Sequence, residues 1–430
     1  MSHRVRQVAW RHLVFFRTLV ALPFNIGIPP LPVSLSKRVQ KVKPSPTLAM
    51  TARAAKLKAE GKDIIGLAAG EPDFDTPAHI SDAGVDAIRK GLTRYTAVDG
   101  TAELKDAIIA KFKRDNALTY DRAQILVSSG AKQTCFNACA ALLDPGDECL
   151  IPAPYWVSYP DMALLADGVP ISVYAGPSQG YKITAAQLAA AITPRTKLFI
   201  INSPSNPTGA AYTKAELQAL GDVLAKHPQI AIASDEMYEH IYWAAEAFTS
   251  FAQANPHLYD RTITINGVSK AYAMTGWRIG YCGGPKEIIA AMSTIQGQST
   301  SNASSISQRA STVALNADQT CVAEMNKAFK ARHDFVVTGL NAIPGISCLA
   351  GAGTFYAFAN VEGAMRALGL KDDDEFAEYL LVHAGVAVVP GSGFGAPNHM
   401  RISFACSMDT LKDALRRIER VVSPVVAKRA

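Results

Sequence analysis

One lysine and one arginine, Lys270 and Arg278, lie eight residues apart in the segment VSKAYAMTGWRIG. The run TITINGV that leads into the lysine is largely apolar, although lysine is normally a solvated surface residue. Two interpretations are open. Either the segment forms a surface turn, or Lys270 is a desolvated amine held near an anion that Arg278 also binds.

Four other short apolar runs are also followed by residue types that bind ligands. QILVS leads into a small-residue turn at the start of a helical pattern, where backbone N–H groups favour a phosphate. DECLIP, KLFIIN and IAIAS lead into an aromatic residue, an amide before a proline, and an acid with a tyrosine. The residues concerned are Gly130, Ala131, Lys132, Trp156, Asn206, Asp235 and Tyr238.

Each of these features has an ordinary structural explanation when it is taken alone. Glycine-rich turns after strands are common for steric reasons, and a tryptophan such as Trp156 is normally core packing. Asp235 follows five small or apolar residues, so a buried carboxylate there needs a cationic partner. The set comprises a turn that can bind phosphate, an aromatic side chain, an amide, a buried acid and a Lys–Arg pair. Taken together, these features suit a flat, phosphorylated, cationic aromatic aldehyde. Pyridoxal 5′-phosphate (PLP) fits that description.

The elements that must position these residues are strands alternating with helices. Helical patterns such as TAELKDAIIAKFKRD and KAELQALGDVLAKH separate the apolar runs. The alternation predicts an α/β fold with a mostly parallel central sheet covered by helices on both faces, and ligands bind beyond the carboxyl ends of such strands. After about Ala310 one long helical stretch, residues 312–343, leads into shorter strands such as RISFA, which indicates a second, smaller α+β domain.

Six motifs then occur in a fixed order: GEPDFDTP, RYTAVDG, PYWVSYP, PSNPTG, SDEMY and GVSKAYAMTGWRIG. From about Ser36 to the C-terminus the sequence resembles the class I aminotransferases of PLP fold type I. Within that family it is similar to the bacterial-type aspartate aminotransferases, some of which also accept prephenate. We therefore expect residues 33–75 to begin the small domain, 76–312 to form the PLP-binding domain, and 313–430 to complete the small domain.

The resemblance implies a role for each matching residue. Lys270 would form the Schiff base and move the Cα proton, with a pKa lowered by desolvation and by Arg278. Asp235 would pair with the pyridinium nitrogen, Tyr238 and Asn206 with O3′, and Trp156 would stack on the ring. Arg278 and the Gly130–Lys132 turn would hold the phosphate.

The family's phosphate-binding pattern is incomplete in this sequence. Many relatives place a hydroxyl residue where Ala131 and Gly267 stand here, so Ser128, Ser129 or Ser269 would have to compensate.

The resemblance also implies which residues bind the substrate and which reach a partner subunit. Arg401 and the N–H of Gly70 would bind the substrate α-carboxylate, and Tyr95 would reach the phosphate of a neighbouring subunit, which implies a homodimer. The stretch GQSTSNASSISQ carries no arginine for a distal carboxylate. Lys43, in QKVKPSPT, is one candidate for that role, and a solvated surface lysine is the other interpretation.

Composition limits the other classes of function. Eleven of the 43 basic residues precede the first acidic residue, Glu60, and the other 32 face 37 acidic ones, so the body has no excess positive charge for nucleic acid. The seven cysteines form no C-x-x-C pair and indicate a reducing compartment, and the nine histidines show no metal-ligand spacing. We expect a cytoplasmic protein without a metal site.

Residues 1–32 are apolar and rich in arginine, with no acidic residue. Four prolines and Arg17 argue against a membrane span. We interpret the segment as a poorly ordered extension or an upstream start, in preference to an organelle transit peptide.

The expected reaction is transamination between L-aspartate and 2-oxoglutarate, with prephenate as a further acceptor. The alternatives are an alanine or aromatic aminotransferase, or a non-catalytic PLP-binding regulatory domain. A regulatory domain of that kind would carry a helix-turn-helix, which residues 1–32 are too short and too proline-rich to form.

Overall fold

The structure is a computed structural model that describes residues 33–429. The prediction for residues 1–32 lies outside the described residues. The strands are β1 (Ile65–Gly66), β2 (Ile125–Ser128), β3 (Glu148–Ala153), β4 (Val169–Tyr174), β5 (Thr196–Asn202), β6 (Ala231–Asp235), β7 (Thr262–Gly267), β8 (Gly280–Gly283), β9 (Ser347–Cys348), β10 (Tyr356–Asn360), β11 (Val386–Ala387), β12 (Val389–Pro390) and β13 (His399–Ser403).

The helices agree with the amphipathic patterns of the sequence at most positions. They are α1 (Lys37–Gln40), α2 (Pro46–Ala59), α3 (Ala78–Arg89), α4 (Ala102–Asn116), α5 (Ala131–Leu142), α6 (Ser158–Leu165), α7 (Ala185–Ala191), α8 (Lys214–Leu224), α9 (Phe251–Ala254), α10 (Lys286–Ser299), α11 (Ser305–Asn316), α12 (Thr320–Asn341), α13 (Glu362–Leu368), α14 (Asp373–Tyr379) and α15 (Met408–Arg429). Thr101 and Thr213 cap α4 and α8 through their side-chain oxygens.

The large sheet has seven strands in the order β2-β8-β7-β6-β5-β3-β4. All of its strands run parallel except β8, which is antiparallel to both of its neighbours, β2 and β7. Alternate residues of one strand belong to cores on opposite faces: Leu198 and Ile200 to one, Phe199 and Ile201 to the other. A sheet buried on both faces explains why these strands read as continuous apolar runs. The predicted α/β class is confirmed.

The register of the sheet aligns the carboxyl ends of its strands. Asn202, the last residue of β5, pairs with Asp235, the last residue of β6. Because β8 runs antiparallel, its first residue, Gly280, pairs with both Gly267 and Ser128. A Cβ at Gly280 would lie 2.1 Å from the nitrogen of Ala131, so only glycine fits at this position. Arg278 lies two residues before Gly280, so it is at the same edge of the sheet as the carboxyl ends of β2 and β7.

A second unit is built on an antiparallel sheet in the order β12-β13-β10-β9, packed with α12 to α15. The short parallel pair β1–β11 joins the early segment to this unit, and Ser403 donates a backbone hydrogen bond of 2.8 Å to Leu67. These contacts support grouping the early segment with the C-terminal unit. The domain boundaries given above stay a prediction.

Two features differ from the sequence expectations. The long helical stretch of residues 312–343 is two helices, α11 and α12, separated at Ala317–Gln319. Strands β4 and β8 were not expected. Among the helices of residues 33–429, none combines the length and apolar composition needed to cross a membrane.

Candidate active site

A cavity of about 430 Å³ opens at the carboxyl ends of β2, β3, β5, β6 and β7, between the two units. Eleven of the residues singled out from the sequence line it. They are Gly70, Ala131, Lys132, Trp156, Asn206, Asp235, Tyr238, Ser269, Lys270, Arg278 and Arg401. Residues separated by up to 331 positions thus share one space, as the strand-end argument predicts.

Apart from the serines considered for the phosphate site, three of the singled-out residues do not line this cavity. Gly130 stands just behind it, with φ +86°, and a Cβ there would lie 2.4 Å from the guanidinium of Arg278. Tyr95 is 92% exposed. Lys43 is exposed and does not line the cavity. Among residues 33–429, no described contact bears on the roles expected of Tyr95 and Lys43, and these roles stay predictions.

Lys270 follows β7 and reaches into the cavity, where its Nζ donates a hydrogen bond of 2.5 Å to the carbonyl oxygen of Gly70. Burial lowers the pKa of Lys270 to about 8, and the positive charges of Arg401 and Arg278 add to this effect. Arg278 was expected to be the charge that lowers this pKa, whereas Arg401 contributes more. A lysine with this pKa has a substantial neutral fraction near neutral pH.

Asp235 ends β6 and is buried at the base of the cavity. Its Oδ2 accepts a hydrogen bond of 2.5 Å from the hydroxyl of Tyr159, and its Oδ1 accepts one of 3.2 Å from the N–H of Met237. Burial raises the pKa of Asp235, although these bonds and the charge of Lys270 oppose the rise. Within the described residues it forms no ion pair, so its negative charge is available to a cationic ligand.

Arg401 lies on β13 of the small sheet and is 2% exposed. Its Nη1 donates to Oδ1 of Asn206 at 2.9 Å and its Nη2 to the carbonyl of Ala68 at 2.7 Å. Its guanidinium carbon lies 4.3 Å from the centre of the Tyr356 ring. Among residues 33–429 no carboxylate pairs with it, and its Nε has no hydrogen-bond partner. A buried guanidinium of this kind is a binding site for an anion.

Arg278 adopts a left-handed backbone conformation, with φ +57°. Its Nη1 donates to the carbonyl oxygen of Thr275 at 3.0 Å, and its guanidinium packs against Gly130 at the start of α5. Strained backbone at a non-glycine residue is common at ligand-binding sites. A helix start beside a guanidinium is a combination suited to an anion.

The hydroxyl residues proposed to complete the phosphate site lie in different surroundings. Ser269 lines the cavity. The Oγ of Ser128 is buried without a partner among the described residues. The N–H of Ser129 donates to Oε1 of Gln133 at 2.6 Å.

The structure adds residues that the sequence analysis did not assign. Tyr159 lies one helical turn beyond Trp156, in the PYWVSYP motif, and binds Asp235. Tyr356 lies on β10, with its hydroxyl 3.1 Å from that of Tyr238. Asn202 accepts a hydrogen bond of 2.8 Å from the N–H of Asn206. The motif spacing was a usable signal for Tyr159, whereas nothing local to Tyr356 marks it.

The family model described as aminotransferase class I and II matches residues 62–418. This chain belongs to that family. The matched range contains eleven cavity-lining residues named above, from Gly70 to Arg401. The resemblance stated from the six motifs is confirmed, and the chain is a member of an enzyme family.

Individual members of the aminotransferase family match over most of their length. The aspartate/prephenate aminotransferase of Nitrosomonas europaea is 57% identical over 91% of this chain and 100% of its own. The aspartate/prephenate aminotransferase of Cereibacter sphaeroides is 55% identical over 90% of this chain and 98% of its own length.

Solved structures agree with these sequence matches. The aspartate aminotransferase of Rhizobium meliloti superposes with a TM-score of 0.87, at 49% identity over 92% of this chain and 99% of that one. The Thermus thermophilus aspartate aminotransferase with maleate has a TM-score of 0.85, at 42% identity over 90% of this chain and 100% of that one. The fold type I assignment is confirmed.

Proposed function

We propose that this aminotransferase uses PLP to move an amino group between L-aspartate and 2-oxoglutarate, giving oxaloacetate and L-glutamate, and that it also accepts prephenate. The observation that carries the proposal is the pairing of Lys270, with its lowered pKa, and the buried, carboxylate-free Arg401 on one cavity. The names of relatives more than 50% identical support the choice of substrates.

The side chains of the cavity fit PLP. Asp235 would bind the pyridinium nitrogen, because it is a buried carboxylate without an ion pair in the part of the chain that the structure describes. Arg278 and the start of α5 at Gly130 would hold the phosphate, with Ala131, Lys132 and Ser269 beside it. Trp156 would lie against the ring face, and Tyr238 and Asn206 against its O3′ edge. When bound, PLP supplies an electron sink for the charge that develops at the substrate Cα.

Lys270 would attach the cofactor and then carry a proton. The amine must be neutral to act as a base, and burial with two nearby guanidinium groups favours that form. Its Nζ is held by the carbonyl oxygen of Gly70, on the segment whose backbone would also bind the substrate. This contact fixes the position of the amine relative to that segment.

Arg401 would bind the α-carboxylate through the N–H groups at the edge of its guanidinium, which has no carboxylate partner among residues 33–429. A dicarboxylate also needs a second cation. Lys132 lines the cavity with its Nζ 4.9 Å from the centre of the Trp156 ring, and Lys43 lies outside it. Both lysines belong to the proposal, and Lys132 has the better placement. Maleate, named with the Thermus thermophilus structure, is a dicarboxylate.

The visible spectrum of the purified protein tests this function. We expect a cofactor band that shifts when aspartate is added and returns with 2-oxoglutarate. A shift with alanine or phenylalanine but not aspartate would favour the alanine or aromatic alternative. A protein without a band, or with a band that no amino acid moves, would overturn the proposal.

A homodimer and a cytoplasmic location complete the proposal. A tyrosine as exposed as Tyr95 can serve a cofactor only across a subunit boundary, because it does not reach the cavity of its own chain. The cysteines of the described chain are unpaired, which suits a reducing compartment.

A further inference from the structure

A buried ionic network lies beneath the cavity without lining it. Lys111, on α4, is completely buried and forms an ion pair with Glu239. Its Nζ also donates to Oδ1 of Asn116 at 2.7 Å. Charged side chains are almost never buried this deeply unless they are paired, so this pair has a specific structural cause.

Glu239 uses both of its carboxylate oxygens in this network. Oε2 accepts a hydrogen bond of 2.6 Å from Nδ2 of Asn116, and Oε1 accepts one of 2.7 Å from Nδ2 of Asn266. Burial alone would raise the pKa of Glu239, but Lys111 and His240 hold it below its usual value. The carboxylate is therefore ionised and saturated with donors.

Asn266 connects this network to both catalytic segments. Its Nδ2 also donates to the carbonyl oxygen of Glu236 at 3.1 Å, and its Oδ1 accepts from the N–H of Gly267 at 2.7 Å. Glu236 follows Asp235, and Gly267 lies three residues before Lys270. One side chain thus joins the turn after β6 to the end of β7, and Glu239 sets the orientation of that side chain.

Asp115, Glu239 and His240 are close enough together to resemble a metal-ligand set. Lys111 supplies the countercharge of this cluster, since its Nζ contacts Glu239 and lies 3.9 Å from Asp115. The cluster is better explained as the set of groups that binds the Lys111 ammonium than as a metal site.

We propose that Glu239, held by Lys111, is a positioning residue that fixes the distance between the Asp235–Tyr238 turn and Lys270 through Asn266. The inference rests on the proposed function, because it assigns catalytic value to that distance. It predicts that the hydrogen bond to Asn266 matters for turnover, whereas the charge of the pair does not.

Two double variants separate these effects. Lys111→Met with Glu239→Gln removes both charges but keeps an oxygen that can accept from Asn266. Lys111→Met with Glu239→Leu also removes that oxygen, and replacement of a buried pair by apolar residues is often neutral for stability. We expect the Gln variant to keep kcat near that of the parent, and the Leu variant to lose about 10- to 100-fold in kcat with little change in KM.

The Leu variant should also shift the pH midpoint of the cofactor band, and the Gln variant should not. In the cofactor-free protein, we expect faster hydrogen exchange at the amides of residues 236–238 and 267–270 in the Leu variant alone. Because exchange needs no cofactor, it tests the link even if the protein proves to have another activity.

Glu148→Gln is the matched control, since Glu148 is a buried, paired carboxylate at the opposite end of the same sheet. It should lower stability without moving kcat or the pH midpoint. If the Leu variant does not fold, Asn266→Ser breaks the link while leaving the ion pair, and the same losses are expected. Parent-like kcat and exchange in a folded Leu or Ser variant, or equal losses in the Gln and Leu variants, would overturn the proposal.

Discussion

The hydroxyl of Tyr159 donates a hydrogen bond of 2.5 Å to Oδ2 of Asp235, and both residues are buried at the base of the cavity. Burial raises the pKa of Asp235, and this bond is the strongest interaction that opposes the rise. The sulfur of Cys135 lies 4.0 Å from the same oxygen and adds little. Tyr159 therefore favours the charged carboxylate that a cationic ring nitrogen requires.

Tyr159→Phe should weaken both cofactor binding and turnover. Loss of one partner of a buried acceptor costs about 1–3 kcal/mol, which corresponds to about a 5- to 160-fold weaker affinity for PLP. Fluorescence titration of the cofactor-free protein measures that affinity. Tyr212→Phe is the control, because Tyr212 is also buried and its hydroxyl accepts from the N–H of Ile183 at 3.0 Å, away from the cavity. Equal affinities in the two variants would contradict this role.

The sequence predicted much of the large sheet because its central strands are buried on both faces and so read as apolar runs. Strand β8 was missed because its four residues, GYCG, begin and end with glycine and look like a turn. The break between α11 and α12 was missed because a polar cap marks it: Asp318 accepts a hydrogen bond of 2.6 Å from the N–H of Thr320. Such local hydrogen bonds end a helix without interrupting the apolar periodicity of the residues on either side.

The residues of the candidate site also divide into those that could be predicted from the sequence and those that could not. Residues at or just beyond the end of a strand, such as Asp235 and Lys270, could be predicted because the topology alone brings strand ends together. Tyr356 and Asn266 could not, because an aromatic residue and an amide inside strands read as ordinary core and ladder positions. Their roles depend on partners 118 and 27 residues away, Tyr238 and Glu239, that only the tertiary structure identifies.

Arg401→Met should abolish substrate binding without destabilising the protein. Arg401 is buried without a carboxylate partner among residues 33–429, so the removal of its buried charge should offset the loss of its hydrogen bonds to Asn206 and Ala68. We expect kcat/KM for aspartate to fall more than about 100-fold, since a buried charge-assisted contact is worth several kcal/mol. Unfolding of the cofactor-free variant should occur at or above the denaturant midpoint of the parent. Maleate should raise the melting temperature of the parent only. A clear loss of stability would show that Arg401 is structural.

Lys270 should react with PLP at a lower pH than a surface lysine does. The neutral amine is the nucleophile, and burial lowers the pKa of Lys270 to about 8. The rate at which the cofactor-free protein reacts with PLP should therefore rise about tenfold per pH unit below that value and level off above it. Stopped-flow absorbance measures this rate, with Lys270→Ala as the unreactive control. A rate that still rises beyond pH 10 would contradict the lowered pKa.

Lys132→Ala and Lys43→Ala should differ in their effect on dicarboxylate substrates. Lys132 lines the cavity and Lys43 does not, so we expect Lys132→Ala to lower kcat/KM for aspartate by about 10-fold or more, a charge contact of at least ~1.4 kcal/mol. Phenylalanine, which lacks the second carboxylate, should be affected less. If Lys43 contacts the distal end of prephenate, Lys43→Ala should raise KM for prephenate. Unchanged rates with aspartate and prephenate would remove Lys43 from the site.

Mixed dimers should show whether Tyr95 serves a neighbouring subunit. Tyr95→Phe should weaken PLP binding in the homodimer. Lys270→Ala removes the amine to which PLP would attach. In a shared site, a mixed dimer contains one cavity with both Lys270 and Tyr95 intact. Refolding the two variants together should then give high-affinity turnover at about a quarter of the parent's sites, since half of the random dimers are mixed. Activity no greater than the sum of the separate variants would indicate that each chain completes its own site. A monomer in sedimentation would remove the shared site altogether.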